Sequence, residues 1–282
     1  MTVGVLAHLF GAMPYEQIAP KVASFGFRHV QLALWKAVSD IDFSKPGALS
    51  PGLAQAIGES FHKHGVSISV LGCYLHLFDR REEQRRENIE RFKELLRYAR
   101  FFGAPIVAAE TGTYPPGTYT DEDWSVMRST LEELAEEAEK WGVFVGMEAA
   151  NGHLIGTAKE LDRMLREVPS PNIGVVLDPG NLLHEGNIDS QDKVIEEAFS
   201  LLGGRVIACH AKDRIQEPDG TVITAAPGYG KMNYKLYMEL LEQMKPHVHI
   251  IMEEAKPEQM PQSKSYIETI RRQAAEKAAL LR

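Results

Sequence analysis

Short apolar runs alternate with longer amphipathic stretches from one end of the chain to the other. The runs occupy 3–9 (VGVLAHL), 29–35 (HVQLALW), 67–75 (SISVLGCYL), 105–110 (PIVAAE), 144–149 (FVGMEA), 173–178 (IGVVLD), 205–211 (RVIACHA) and 249–254 (HIIMEE). Most are apolar at successive positions, as parallel strands covered on both faces must be. The stretches between them carry apolar residues at helical spacing and have readable ends. Residues 121–141 open on Asp121 as N-cap, continue through LEELAEEAEKW and stop at Gly142. Residues 82–102 stop at Gly103, 51–64 at Gly65 and 14–25 at Gly26. Glycine just past the last turn is the residue that takes left-handed backbone without strain. The order helix, glycine, strand repeats without a Ser/Gly linker or a low-complexity tract, which predicts a single domain over residues 1–282.

Eight strands and about eight helices predict an α/β protein, a (β/α)8 TIM barrel. A doubly wound open sheet would want a glycine-rich phosphate fingerprint after its first strand, and HLFGAMPYEQ does not supply one. TAAPGYGKMNY (224–234) is rich in glycine but lacks the P-loop pattern, and reads as a tight loop beside the pocket.

Charge narrows the partners. With 31 Lys and Arg against 39 Asp and Glu, the formal net charge is −8, which argues against a nucleic-acid partner. DRREEQRRENIERFKELLR, the most basic stretch, alternates in sign and reads as a solvated helix surface laced with i,i+4 pairs. The two cysteines, Cys73 and Cys209, are far apart and sit in apolar runs, consistent with a reducing compartment. No basic-then-apolar leader opens the chain, and no window is long and apolar enough for a membrane span. The expectation is a cytoplasmic protein with no membrane partner; the sequence leaves a homo-oligomer open.

Catalytic residues of a barrel gather at the C-terminal ends of its strands. Glu148, Asp178, His210 and Glu253 close the fifth to eighth runs, separated by 30, 32 and 43 residues, each compatible with one βα unit. Three carboxylates and an imidazole therefore converge. Leaving three anions together without a cation is costly, and a divalent metal ion removes that cost. Oxygen-rich ligands with one nitrogen suit Mn2+ best, with Mg2+, Co2+ or Zn2+ also compatible. Glu254 competes with Glu253 for the last place; strand alternation points Glu253 inward with Ile251. Further candidates for contact with a substrate are Lys212 and Arg214 in HAKDR, Asn181 after Asp178, Glu110 at the end of the fourth run and His76 after the third. His8 and Trp35 are weaker candidates, Trp35 as an apolar wall for a sugar ring.

The order Glu, Asp, His, Glu at successive strand ends resembles the xylose-isomerase-like barrel superfamily, the sugar phosphate isomerase/epimerase group, along the whole chain. It is similar in particular to the ketose 3-epimerase and inosose isomerase/dehydratase branches. That resemblance implies one metal held by Glu148, Asp178, His210 and Glu253. It also implies a small-molecule sugar or cyclitol substrate, and Glu148 and Glu253 as the acid and base that move a proton through a metal-stabilised enediolate. Many ketose epimerases have a histidine where this chain has Asn181, a departure that weakens ketose 3-epimerase itself. A dehydratase or 3-oxo-glycoside lyase would use the same enediolate. Endonuclease IV-like DNA repair needs more histidines at strand ends and a basic rim, and a non-catalytic sugar-binding barrel fits poorly with a complete ligand set.

Overall fold

In the computed structural model, which describes residues 2–280, the apolar runs become the staves of a closed barrel. In chain order the strands are β1 (Gly4–Leu6), β2 (His29–Leu32), β3 (Ser67–Gly72), β4 (Ile106–Ala109), β5 (Phe144–Met147), β6 (Ile173–Leu177) and β7 (Val206–Ala211). A hairpin, β8 (Asp213–Gln216) and β9 (Val222–Ala225), interrupts the series before β10 (His249–Met252), the eighth stave. All barrel pairings are parallel, and β1 pairs with both β2 and β10, so no edge is left open. The helices are α1 (Tyr15–Ser24), the short α2 (Leu34–Ala37), α3 (Pro51–Lys63), α4 (Glu82–Phe102), α5 (Asp121–Trp141), α6 (Ala158–Glu167), α7 (Gln191–Leu202), α8 (Tyr234–Met244) and α9 (Met260–Leu280). This is a single-domain TIM barrel. No described helix is long and apolar enough to cross a membrane.

Alternation along each strand divides the apolar residues between two cores. Leu6, Val70, Ile106, Ala108, Val176, Ala208 and Ile251 fill the barrel interior, while residues such as Val5, Leu32, Val107 and Met252 pack outward against the helices. Gly146 is required inside: a Cβ there would come within 2.9 Å of Val176 Cγ2. Every barrel strand is buried on both faces over most of its length, the physical reason the runs show no two-residue alternation of polarity.

Helices α4 and α5 have the predicted limits and end on left-handed Gly103 and Gly142. The cap of α5 differs from expectation. Thr120, not Asp121, is the N-cap: its hydroxyl accepts from the Asp123 N–H, and Asp123 accepts in return from the Thr120 N–H. The charges of α4 also pair differently. Arg86 and Lys93 both reach Glu133 of α5, and Arg97 approaches Glu137, so the expected i,i+4 pairs give way to bridges between helices. Parallel packing of α4 on α5 brings these side chains closer than their own helix does.

Several runs end as strands before their last residues. The second run turns helical at Leu34, which puts Trp35 in α2. There Trp35 lies beneath the Arg91 guanidinium, 5.0 Å from its ring, and lines a cavity of about 550 Å3 with residues 38–44. The β8–β9 hairpin was not foreseen; part of TAAPGYGKMNY forms β9, and only its remainder is loop.

Candidate active site

The C-terminal ends of β5, β6, β7 and β10 are neighbours in the closed sheet, so the residues at those ends meet. The Glu148 N–H donates to Ala109 O and the Glu253 N–H to Ala211 O, extending the ladders by one bond and locking both backbones. His210 lies within β7, fully buried, with its side chain directed to the axis. Its Nδ1 is 3.2 Å from Glu148 Oε1 and 3.0 Å from Glu253 Oε1. Glu148, Asp178 and His210 offer donor atoms that all lie within 4.8 Å of one another. Glu253 joins them through His210 and through Lys212, whose Nζ is 2.6 Å from Glu253 Oε2. Glu254 takes left-handed backbone (φ 58°) and is exposed.

The segment VVLDPGN explains how Asp178 is presented. Asp178 Oδ1 accepts from the N–H groups of Gly180 (2.8 Å) and Asn181 (3.3 Å), and Pro179 begins the 3-10 turn where no N–H is needed. Gly180 is demanded by space, since a Cβ would lie 2.7 Å from Lys212 Cγ. The other oxygen, Oδ2, is buried and accepts no hydrogen bond; the Lys212 ammonium lies 3.2 Å away without hydrogen-bond alignment. A buried carboxylate oxygen without an aligned hydrogen-bond donor, beside a second carboxylate and an imidazole nitrogen, fits a divalent cation with oxygen and nitrogen ligands.

The remaining candidates fall into two groups. Asn181 Nδ2 donates to Glu148 Oε1 at 2.7 Å and lies 3.4 Å from Glu110 Oε1, which places both beside the acids. Lys212 is buried between Asp178 and Glu253. Arg214, by contrast, donates through Nε to Gly180 O at 2.6 Å and braces the turn below Asp178. His76 donates to Thr113 O at 3.1 Å, next to Tyr114, and stands apart from the four-residue cluster.

Burial and crowding set the electrostatics. Burial raises Glu148, with the His210 attraction opposing. Burial and the Glu148 charge push Glu110 up to about 8. Burial would also raise Glu253, but Lys212 and His210 outweigh it and hold that carboxyl at about 2. For His210, burial favours the neutral ring, yet Glu148 and Glu253 prevail and move it to about 9. Burial likewise opposes the Lys212 charge, and Asp178 and Glu253 more than compensate.

Three contributors were not singled out from sequence. Gln31 of β2 meets the far side of His210, its Oε1 2.9 Å from Nε2, and Tyr74 in turn bonds Gln31. His153 approaches Glu110, with 3.7 Å between Nε2 and Oε2. Gln31 could have been noticed as the one amide inside the apolar run HVQLALW. Asp213 is a further omission. Buried beside the site, it accepts from the N–H groups of Arg214, Gly228, Gly230 and Met232 at 2.8–3.0 Å and ties down the loop after β9. A Cβ at Gly230 would sit 2.4 Å from Asp213 Oδ1, which accounts for that glycine.

A family model described as xylose isomerase-like TIM barrel matches residues 19–276. The uncharacterized protein MJ1311 of Methanocaldococcus jannaschii is 26% identical over 204 residues, covering 70% of this chain and 66% of that protein, just under two thirds of its length. A D-tagatose 3-epimerase-like protein superposes with a TM-score of 0.78 at 21% identity, over 98% of this chain and 99% of its own. A xylose isomerase-like TIM barrel protein from Mycobacterium smegmatis, in complex with magnesium, superposes with a TM-score of 0.76 at 16% identity, over 97% of each chain. At these identities the structural likenesses show the fold.

Proposed function

The chain belongs to the xylose isomerase-like TIM barrel family, and on that premise we propose that it is a divalent-metal-dependent isomerase or epimerase of a keto-sugar, cyclitol or sugar phosphate. The observation that carries this reading is the flanking of His210 Nδ1 by Glu148 and Glu253 at 3.2 and 3.0 Å, with Asp178 Oδ2 nearby, buried and without an aligned hydrogen-bond donor. The epimerase-like and magnesium-bound neighbours support it. Glu148, Asp178, His210 and Glu253 would hold the ion, with Mn2+ favoured and Mg2+, Co2+ or Zn2+ compatible; bound there, it would acidify the carbon-bound proton beside a ketone and stabilise the negative charge left behind.

The chain's own groups would do the rest. Glu148 and Glu253 arrive from β5 and β10, on either side of β6 and β7, so each can reach a different face of a substrate lying over His210. One removes the proton and the other returns one, which inverts or relocates a hydroxyl-bearing carbon. The Lys212 ammonium keeps Glu253 in place, and the Asn181 amide does the same for Glu148. A dehydratase or lyase is the second reading, because the Lys212 ammonium beside Glu253 could give a proton to a departing oxygen.

The test is incubation of the metal-loaded protein with a panel of ketoses, ketose phosphates, inososes and 3-oxo-glycosides in deuterated water. Deuterium should enter at the carbon beside the ketone, with an epimer or isomer as product. An enone or released aglycone would select the lyase reading. No exchange with any member of the panel would overturn both.

A further inference from the structure

The His210 ring has two nitrogens, and a chain of two side chains decides which one faces the acids. Nδ1 faces Glu148 and Glu253, whereas Nε2 faces Gln31 Oε1 at 2.9 Å. Gln31 is 1% exposed and stands on the inner face of β2, where β2 and β3 slip register between Val30 and Gln31. Ser69, the residue passed over in that slip, donates to Val30 O at 3.0 Å and holds the irregularity in place. Such a slip re-aims a side chain toward a site. A buried amide needs partners at both ends, and the donor end of Gln31 is taken by the Tyr74 hydroxyl.

An amide can turn over and exchange its ends, so the direction of the chain has to be set somewhere. A reversed Gln31 would offer N–H groups to His210 Nε2, leave the ring proton on Nδ1 and require Tyr74 to donate. Tyr74 lies within reach of the charges of Glu148, Glu253 and Glu110, and burial together with those charges keeps its phenol protonated. The protonated phenol can accept from the Gln31 amide, and that is the arrangement the side chains adopt. The Lys36 ammonium lies 5.3 Å from the centre of the Tyr74 ring and helps fix the ring in place.

We infer that Gln31, backed by Tyr74, is a positioning residue that holds the His210 ring with Nε2 against the Gln31 carbonyl, so that Nδ1 is the nitrogen presented to the acids and to a divalent ion. Partners on the outer nitrogen of a ligating histidine orient the ring and raise its basicity, and their loss typically costs about 10–100-fold in metal affinity. The inference bears on the same site as the proposed function, but the hold on Nε2 can be read without any turnover.

The experiment uses the full chain labelled with 15N-histidine, metal-free and with Zn2+ alone, in long-range 1H–15N spectra and zinc titrations. The unsubstituted protein should show a His210 Nε2–H shielded from solvent exchange in both states. Gln31→Met removes the acceptor at similar volume; the shielded proton should be lost and Zn2+ affinity should fall about 10–100-fold. Gln31→Glu restores an acceptor and should recover the shielded proton. Tyr74→Phe frees the amide to turn, and should give a faster-exchanging proton and an intermediate affinity. An unchanged Nε2–H signal in Gln31→Met, with Zn2+ affinity within twofold, overturns the inference. Should Gln31→Met fail to fold, Tyr74→Phe decides in the same way. Failure of the unsubstituted protein to bind Zn2+ would count against the proposed function, and the shielding of the Nε2–H in the metal-free spectra would still decide whether Gln31 holds that nitrogen.

Discussion

At the N-terminal end of the barrel, Arg271 of α9 and Glu242 of α8 are both buried and meet at 2.7 Å. The same guanidinium donates to Pro246 O and Val248 O at 3.0 and 2.9 Å, so one cation meets one anion and the spare donors are used. Beside them His29 stacks on His249 with ring centres 4.4 Å apart, across β1, where Gly4 leaves room for the imidazole. At the C-terminal end, Glu110, Glu148, Asp178 and Glu253 crowd around Lys212 and His210, and Asp178 Oδ2 has no aligned hydrogen-bond donor. Both ends bury charge; only one leaves its polar groups unmatched. Satisfied buried pairs hold a fold together, whereas unmatched ones mark the place where a ligand completes the set.

The largest effect expected from this contrast is at the unmatched end. Glu253→Gln should keep the fold, since the amide is nearly isosteric, yet lower turnover by roughly 10²–10⁴, the usual worth of a positioned general base. Deuterium exchange at the substrate carbon should fall with it. Near-normal exchange in a metal-loaded variant would remove Glu253 as the base and turn attention to Glu254.

At the matched end the consequence is for stability. Arg271→Met leaves Glu242 buried without its cation and two carbonyls without donors, and should cost about 3–5 kcal/mol in denaturant unfolding. Adding Glu242→Leu should restore much of it. If the single variant is as stable as the parent, the pair is not the structural bridge described here.

The stacked imidazoles make the same end sensitive to acid. Burial, then the charge of neighbouring His249, hold His29 down to about 4; burial and Arg271 lower His249 as well. Between about pH 6.5 and 4 the unfolded chain therefore binds protons that the folded one refuses. The associated stability is complete above about pH 6.5 and lost as pH falls toward 4, by up to about 3 kcal/mol for His29. His29→Gln, which can still donate to Ile250 O, should flatten the plot of Tm against pH across that window. An unaltered slope would place the acid sensitivity elsewhere.

The smallest effect, and the one that sharpens the comparison most, concerns metal affinity and the metal-free fold. His210→Ala should weaken binding of the ion by at least about tenfold, read by elemental analysis after dialysis. Without metal, Asp178→Asn should cost clearly less than Arg271→Met, because it removes one of several crowded anions, leaves Glu253 to pair with Lys212 and keeps an oxygen for the Gly180 N–H. A loss as large as that of Arg271→Met would mean that the upper cluster is structural too.

The βα grammar was legible because its cause is local: fully buried strands, helices of mixed polarity and glycines at helix ends each leave a mark within a few residues. Glu148, Asp178, His210 and Glu253 could be singled out for the same reason, as polar residues terminating apolar runs, with barrel closure supplying their convergence. Other features depended on partners distant in sequence. Glu133 attracts Arg86 and Lys93 only once α5 lies along α4. Asp213 finds its N–H donors in a loop that returns 15 to 19 residues later, and Trp35 finds Arg91 on α4. Gln31 and His210 are 179 residues apart, and only closure of β1 between β2 and β10 carries β2 round to the acids. The sequence by itself determined which elements form and which strand ends carry ligand-type residues, because burial and backbone propensity act over short range. Tertiary structure alone decided which charges are matched and which nitrogen of His210 faces the acids, because hydrogen-bond partners are chosen by proximity in space.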